Sequence, residues 1–116
     1  MPRGDVVLVR FPHPSGIRGK RRPAVVVQSD AYTGLVRTIV VAAMTTNLAL
    51  RGDPACLLID PGTPDGQLTG VGITSVLSCL ELAQVYADQA DQVLGRLSPA
   101  LLQQPDACLK VALDLR

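Results

Sequence analysis

RRPAVVVQSDAYTGLVRTIVVAAMTT, residues 21–46, sets two valine-rich runs on either side of a stretch with turn chemistry. Pro23 to Val27 opens one strand, Asp30 to Gly34 (DAYTG) turns the chain, and Leu35 to Met44 continues as an apolar, β-branched run. The pattern predicts a hairpin whose second arm is buried on both faces, because that arm shows no polar alternation. On the N-terminal side, residues 4–11 read GDVVLVRF, a strand that follows a glycine and stops at Pro12-His13-Pro14. Three strands therefore form an opening meander. The segment joining the first two, PHPSGIRGKRR at 12–22, holds two prolines, two glycines and four cations, and reads as a long basic loop.

On the C-terminal side, Thr45-Thr46-Asn47 ends the third strand and a polar loop, Leu48 to Pro54, leads into a short fourth strand, Ala55 to Asp60. Residues 61–72 contain two prolines and four glycines and are expected as surface loop. Ile73 to Tyr86 alternates imperfectly, which predicts a long, bent or bulged strand with Val76, Leu80, Leu82 and Val85 in the core. Asp88 to Gln92 makes a helical turn and Val93 to Leu97 a short returning strand. Ser98-Pro99 is a helix start, with serine as N-cap and proline at the first helical position. Leu101, Leu102, Cys108, Leu109, Ala112 and Leu113 recur at helical spacing, and Pro105 predicts a kink, or a helix beginning afresh at Asp106.

A chain of 116 residues, 47% hydrophobic, fits one domain with a core large enough to need no disulfide or metal staple. Its longest apolar runs fall well short of the about twenty residues of a spanning helix, and its N-terminus meets Asp5 and Arg10 before any signal-like apolar region; no membrane association and a cytoplasmic location are expected. Cys56, Cys79 and Cys108 are an odd count at wide spacings beside one histidine, His13, which disfavours a zinc site or a disulfide framework and favours buried thiols in a reducing compartment. Phe11, Tyr32 and Tyr86 are too few aromatics for a base-stacking platform. The carboxylates show no paired spacing, and no glycine-rich phosphate loop occurs.

Charge is where the sequence departs from blandness. Formal net charge is +1, yet Arg18, Lys20, Arg21 and Arg22 fall within five positions. A concentrated cationic segment binds phosphates, although in an arbitrary domain it more often serves only as a solvated loop. Arg22 differs from its neighbours because it precedes Pro23, which fixes its backbone as extended and sets a permanently charged, bidentate guanidinium at a rigid strand edge. Thr45 and Thr46 stand at a strand end, where hydroxyls either donate to phosphate oxygens or satisfy local turns.

Gly4-Asp5-Val6-Val7-Leu8-Val9, Arg22-Pro23-Ala24-Val25-Val26-Val27, Ala42-Ala43-Met44-Thr45, Thr74-Ser75-Val76-Leu77 and Gly95-Arg96-Leu97-Ser98, in that order and spacing, resemble the PemK/MazF family of toxin endoribonucleases over nearly the whole chain. The resemblance implies a mainly β fold with a C-terminal helix: the small SH3-like barrel of mostly antiparallel strands shared by PemK/MazF toxins and the gyrase poison CcdB. It implies a single PemK/MazF-like domain over residues 1–116 that works as a homodimer. It also implies cleavage of single-stranded RNA at short sequences without metal or other cofactor, by 2′-hydroxyl attack, and a cognate acidic antitoxin as partner. The family's catalytic arginine falls on Arg22 and its threonine on Thr45. Arg18, Lys20, Arg21, Thr46 and Ser75 are the expected substrate contacts. Many relatives carry Glu-Gln where Ile17-Arg18 stand, and an acidic-Gln pair with a later base where Leu80-Glu81 and Ala83 stand; these departures bear on the RNA sequence recognised and on activity. Two rivals remain: a non-enzymatic inhibitor on the same fold, either a gyrase poison or an RNA-binding relative without cleavage, and an adaptor with a solvated basic loop. Arg22 with Thr45 is the discriminating feature, which a gyrase poison does not need.

Overall fold

Valine dominates the N-terminal strands, and in the computed structural model each such run is extended and paired. The structure describes the chain except residues 12–14, 16–18 and 91. Strands β1 (Asp5–Arg10), β2 (Arg21–Val26), β3 (Thr38–Thr45), β4 (Cys56–Ile59), β5 (Ser75–Tyr86) and β6 (Gln92–Arg96) form one sheet in the order β4-β5-β3-β2-β1-β6. Every pairing is antiparallel, and the sheet curls into a half-barrel with β4 and β6 as its edges. The opening meander is present, and the second strand begins at Arg21 rather than Pro23, so both arginines belong to the sheet. The third strand starts at Thr38 rather than Leu35. Residues Asp30–Tyr32 form a 3-10 turn capped by the Ser29 hydroxyl, and Leu35 and Val36 stay exposed.

Strand alternation sorts the core into two layers. Val7, Val9, Ala24, Val26, Val41 and Ala43 point to one face, with Phe11, Ile39 and Val85 at its margins. Val6, Val25, Ala42, Met44, Leu77 and Ile59 point to the other, where Leu101, Leu102 and Leu109 pack from the C-terminal helices. The face carrying Val7 and Ala24 is called the front below. A valine or leucine fully removed from water contributes roughly 1.5–3 kcal/mol, so these layers, not the polar contacts at the sheet's end, dominate stability.

Residues 61–72, expected as loop, contain helix α1 (Pro64–Leu68): the Thr63 hydroxyl accepts from Gly66 N at 3.0 Å, and proline occupies the first turn. Two of the glycines that suggested a loop permit close packing: a Cβ on Gly66 would run into the Asp60 carbonyl, and one on Gly70, just past α1, into the Leu94 carbonyl of β6. Ser98 caps helix α2 (Pro99–Leu102) as expected, its Oγ accepting from Leu101 N at 3.2 Å. The chain then restarts as helix α3 (Gln104–Ala112), two residues before the expected point, because Pro105 fits a first turn that needs no N–H from it. The helical turn expected at Asp88 to Gln92 is a 3-10 turn at Ala87–Gln89, ahead of β6. No helix among the described residues is long and apolar enough to cross a membrane.

Strand β5 is long and irregular for a specific reason. Ala42 pairs with Leu82 while Ala43 pairs with Ser78, which leaves Cys79, Leu80 and Glu81 without partners on β3. Leu80, expected in the core, is therefore 54% exposed, whereas Val76 and Val85 are buried. Cys79 turns inward from this bulge to meet Cys108 of α3 and Cys56 of β4, and all three thiols are buried and unbridged. Burial, reinforced by the neighbouring Cys108 and Cys56, pushes the Cys79 thiol up to about 12, and burial raises Cys108 as well.

Candidate active site at the open end of the sheet

Arg22 occupies the second position of β2, opposite Val9 and two residues before Ala24, so alternation sends its side chain to the front face. Ala24 pairs with Ala43, and continuing that register toward the strand ends sets Arg22 beside Thr45, also on the front face. Arg22 Nη2 donates to the Met44 carbonyl at 3.2 Å, and the guanidinium lies 5.4 Å from the centroid of the Phe11 ring. The same nitrogen meets Glu81 Oε2 at 2.9 Å. Strand pairing, a backbone acceptor and an aromatic face together hold the cation at the sheet's end, half-buried.

Thr45 is half-buried, and its Oγ1 accepts from Asn47 N at 3.1 Å, which leaves the hydroxyl proton to donate elsewhere. Asn47 in turn accepts from Ala49 N at 3.0 Å through Oδ1, fixing the turn that follows β3. Between this turn and the β5 bulge runs a groove of about 170 Å³ lined by Thr45, Asn47, Val76, Ser78, Leu80 and Glu81 together with Ala49 and Leu50. Ser78 is buried, its Oγ accepting from Leu80 N at 3.3 Å.

The other expected contacts divide between regions. Thr46 and Ser75 follow the opposite alternation and share a separate groove of about 220 Å³ with Pro23, Val71, Ile73 and Leu94. Ser75 is buried and donates to the Ile73 carbonyl at 2.8 Å, so its hydroxyl is engaged; Thr46 is exposed. The structure does not bring these two side chains onto the face of Arg22 and Thr45. Lys20 and Arg21 are exposed, and Arg21 pairs directly across from Arg10, whose Nη1 donates to the Gly19 carbonyl at 2.7 Å. Arg18, Ile17 and most of the expected 12–22 loop lie outside the described residues. Asn47, Ser78 and Glu81 are the polar groove residues that the sequence did not propose as contacts. The departure noted at Leu80-Glu81 and the imperfect alternation of 73–86 singled out this stretch, but neither locates the bulge that delivers Glu81 to Arg22.

Among the described residues, no group of three or more His, Cys, Asp or Glu side chains is arranged to hold a metal ion. The front face brings together a fixed cation, Arg22, with the hydroxyl of Thr45 and the carboxylate of Glu81 on the adjoining groove wall. A cation and a donor on one rigid face can hold a phosphodiester and offset charge that builds on it during displacement at phosphorus.

Known proteins share this chain's sequence pattern and fold. Residues 2–113 match the profile of a family described as PemK-like, MazF-like toxin of type II toxin-antitoxin system. The chain is 30% identical over 115 residues to Endoribonuclease MazF6 of Mycobacterium tuberculosis, a span covering 97% of this chain and 96% of the relative. Endoribonuclease MazF2 of Mycobacterium bovis matches equally. Among solved structures, a mycobacterial endoribonuclease in complex with its cognate antitoxin superposes with a TM-score of 0.77 at 20% identity, covering 100% of this chain and 97% of that one. MazE-MazF from Deinococcus radiodurans gives a TM-score of 0.74 at 20% identity, covering 100% and 98%. These structural likenesses carry the fold.

Proposed function

Because the chain belongs to the PemK-like, MazF-like toxins of type II toxin-antitoxin systems, we propose that its front groove is the active site of a metal-independent, sequence-selective endoribonuclease acting on single-stranded RNA. The observation that carries this reading is the meeting of Arg22 and Thr45 at adjacent strand ends on one face, beside a groove open to solvent. The 2′-oxygen of the nucleotide before the scissile bond attacks phosphorus, the bond to the 5′-oxygen breaks, and the products are a 2′,3′-cyclic phosphate and a 5′-hydroxyl. Negative charge on the non-bridging oxygens rises along this path. Arg22 stabilises it, and the Thr45 hydroxyl donates to one of those oxygens and fixes the phosphate for in-line attack. The 2′-hydroxyl gives up its proton and the leaving 5′-oxygen gains one, as the stoichiometry requires.

Lys20, Arg21 and Arg18 contact flanking phosphates, which position RNA without reading its bases. Thr46 and Ser75 stand on the opposite face, and their part in binding is confined to the second groove. Residues 1–116 act as a single domain and pair as a homodimer. A cognate antitoxin is the partner by analogy with the neighbour solved with its own, and an acidic one is complementary to the cationic end of the sheet. The rival of a non-enzymatic inhibitor on the same fold is not favoured, since the relatives at 30% identity are endoribonucleases. Incubating the purified protein with a long RNA in EDTA and mapping the new ends tests the proposal: fragments ending in cyclic phosphate and beginning with 5′-hydroxyl are expected, and intact RNA overturns it.

A further inference from the structure

Glu81 reaches Arg22 only because three residues of β5 loop out opposite Ala42 and Ala43. Its carboxylate contributes little to aiming the guanidinium. The extended backbone before Pro23, the Met44 carbonyl and the Phe11 ring already hold that group from three sides. What Glu81 adds is a negative charge, 2.9 Å from the cation, on the wall of the groove that also contains Thr45. The Glu81 side chain is 46% exposed, so it can leave Arg22 for water without stranding a buried charge.

We propose that Glu81 is a built-in counter-anion at the active site: it occupies Arg22 in the free protein and must yield that position to the RNA phosphate, so it sets how tightly RNA is held. This inference rests on the reading that RNA binds at Arg22 and Thr45. A phosphodiester brought to Arg22 carries the same charge as the carboxylate already there, and two anions at one guanidinium repel across a few ångströms. Binding is therefore an exchange of partners at Arg22, and the cost of releasing the carboxylate is subtracted from every RNA affinity.

The experiment measures binding of a 2′-O-methylated single-stranded RNA, which lacks the attacking hydroxyl, to the parent protein and to E81Q, E81D, R22A and the R22A/E81Q double variant. E81Q retains shape and hydrogen-bonding capacity without charge, and is expected to bind about two- to fivefold more tightly than the parent. E81D keeps the charge and is expected to bind like the parent. In the R22A background the E81Q substitution is expected to bring no gain, because the competition acts through Arg22. With cleavable RNA, the KM of E81Q falls in step with its dissociation constant. Equal affinity of E81Q and parent overturns the proposal, as does a gain that persists without Arg22, which marks a general charge effect. A fall in kcat with unchanged affinity also overturns it and makes Glu81 an orienting group. If R22A itself binds RNA as well as the parent does, the placement of RNA in the front groove fails; if R22A weakens binding while E81Q does not tighten it, the counter-anion alone fails.

Discussion

The role proposed for Arg22 pairs a strong chemical effect with a weak structural one. Its ion pair to Glu81 joins side chains that are 30% and 46% exposed, a class of contact that contributes about 0.2–1 kcal/mol, far less than the valine layers behind it. Removing a preorganised group that meets charge developing in a transition state costs roughly 3–4 kcal/mol. Arg22→Ala is therefore expected to lower kcat by about two to three decades while circular dichroism and the melting temperature stay close to the parent's. Thr45→Ala should cost less, since it removes one neutral donor. Cleavage by a folded Arg22→Ala protein at the parent's rate would remove Arg22 from the chemistry. At this scale the sequence was informative where a neighbour constrains the backbone. Pro23 made Arg22 legible as a rigid cation, whereas nothing near Glu81 announces a partner 59 positions away.

The β5 bulge is the element that links core, thiols and groove. Its inward residue, Cys79, meets Cys56 of β4 and Cys108 of α3, and its outward residues, Leu80 and Glu81, line the groove. Alternation along 73–86 correctly signalled an irregular strand, but it could not locate the break, and so Leu80 was placed on the core side by a count that ran straight through it. The 61–72 stretch carries loop composition yet holds α1 for a related reason: Gly66 packs against the Asp60 backbone and Gly70 against the Leu94 backbone of β6, a role that only tertiary packing reveals. The thiol cluster offers a test by pH. Cys79, an acid held at about 12 instead of its ordinary 9.0, keeps its proton in the folded chain across a range where the unfolded chain releases it. Unfolding is then coupled to proton release, so this contribution is intact below about pH 9 and is lost as pH climbs toward 12. Urea unfolding under reducing conditions from pH 8 upward is expected to show a steeper alkaline loss of stability in the parent than in Cys79→Ala. Parallel curves for the two proteins would mean that the cluster does not hold Cys79 protonated.

Over the whole molecule, 11 basic and 10 acidic residues nearly cancel, so attraction to a polyanion has to come from how charge is distributed. Strand pairing sorts the basic segment by face: Arg22 goes to the front with Thr45, while Arg21 goes to the back directly across from Arg10. If RNA lies in the front groove with Lys20, Arg21 and Arg18 on its flanking phosphates, as proposed, its binding releases counterions in proportion to the phosphates contacted. Neutralising those three residues together should reduce the slope of log affinity against log salt by about 2 for a single strand, and weaken binding at low salt more than at high salt. The preferred cleavage sequence should change little, because phosphate contacts position the strand and the groove walls read it. Binding of one labelled RNA between 50 and 300 mM salt, roughly the range over which counterion release is largest, gives the slope directly. A triple variant with the parent's slope would leave the basic segment a solvated loop, and the whole electrostatic pull on RNA would then reside in Arg22 and the balance Glu81 sets against it.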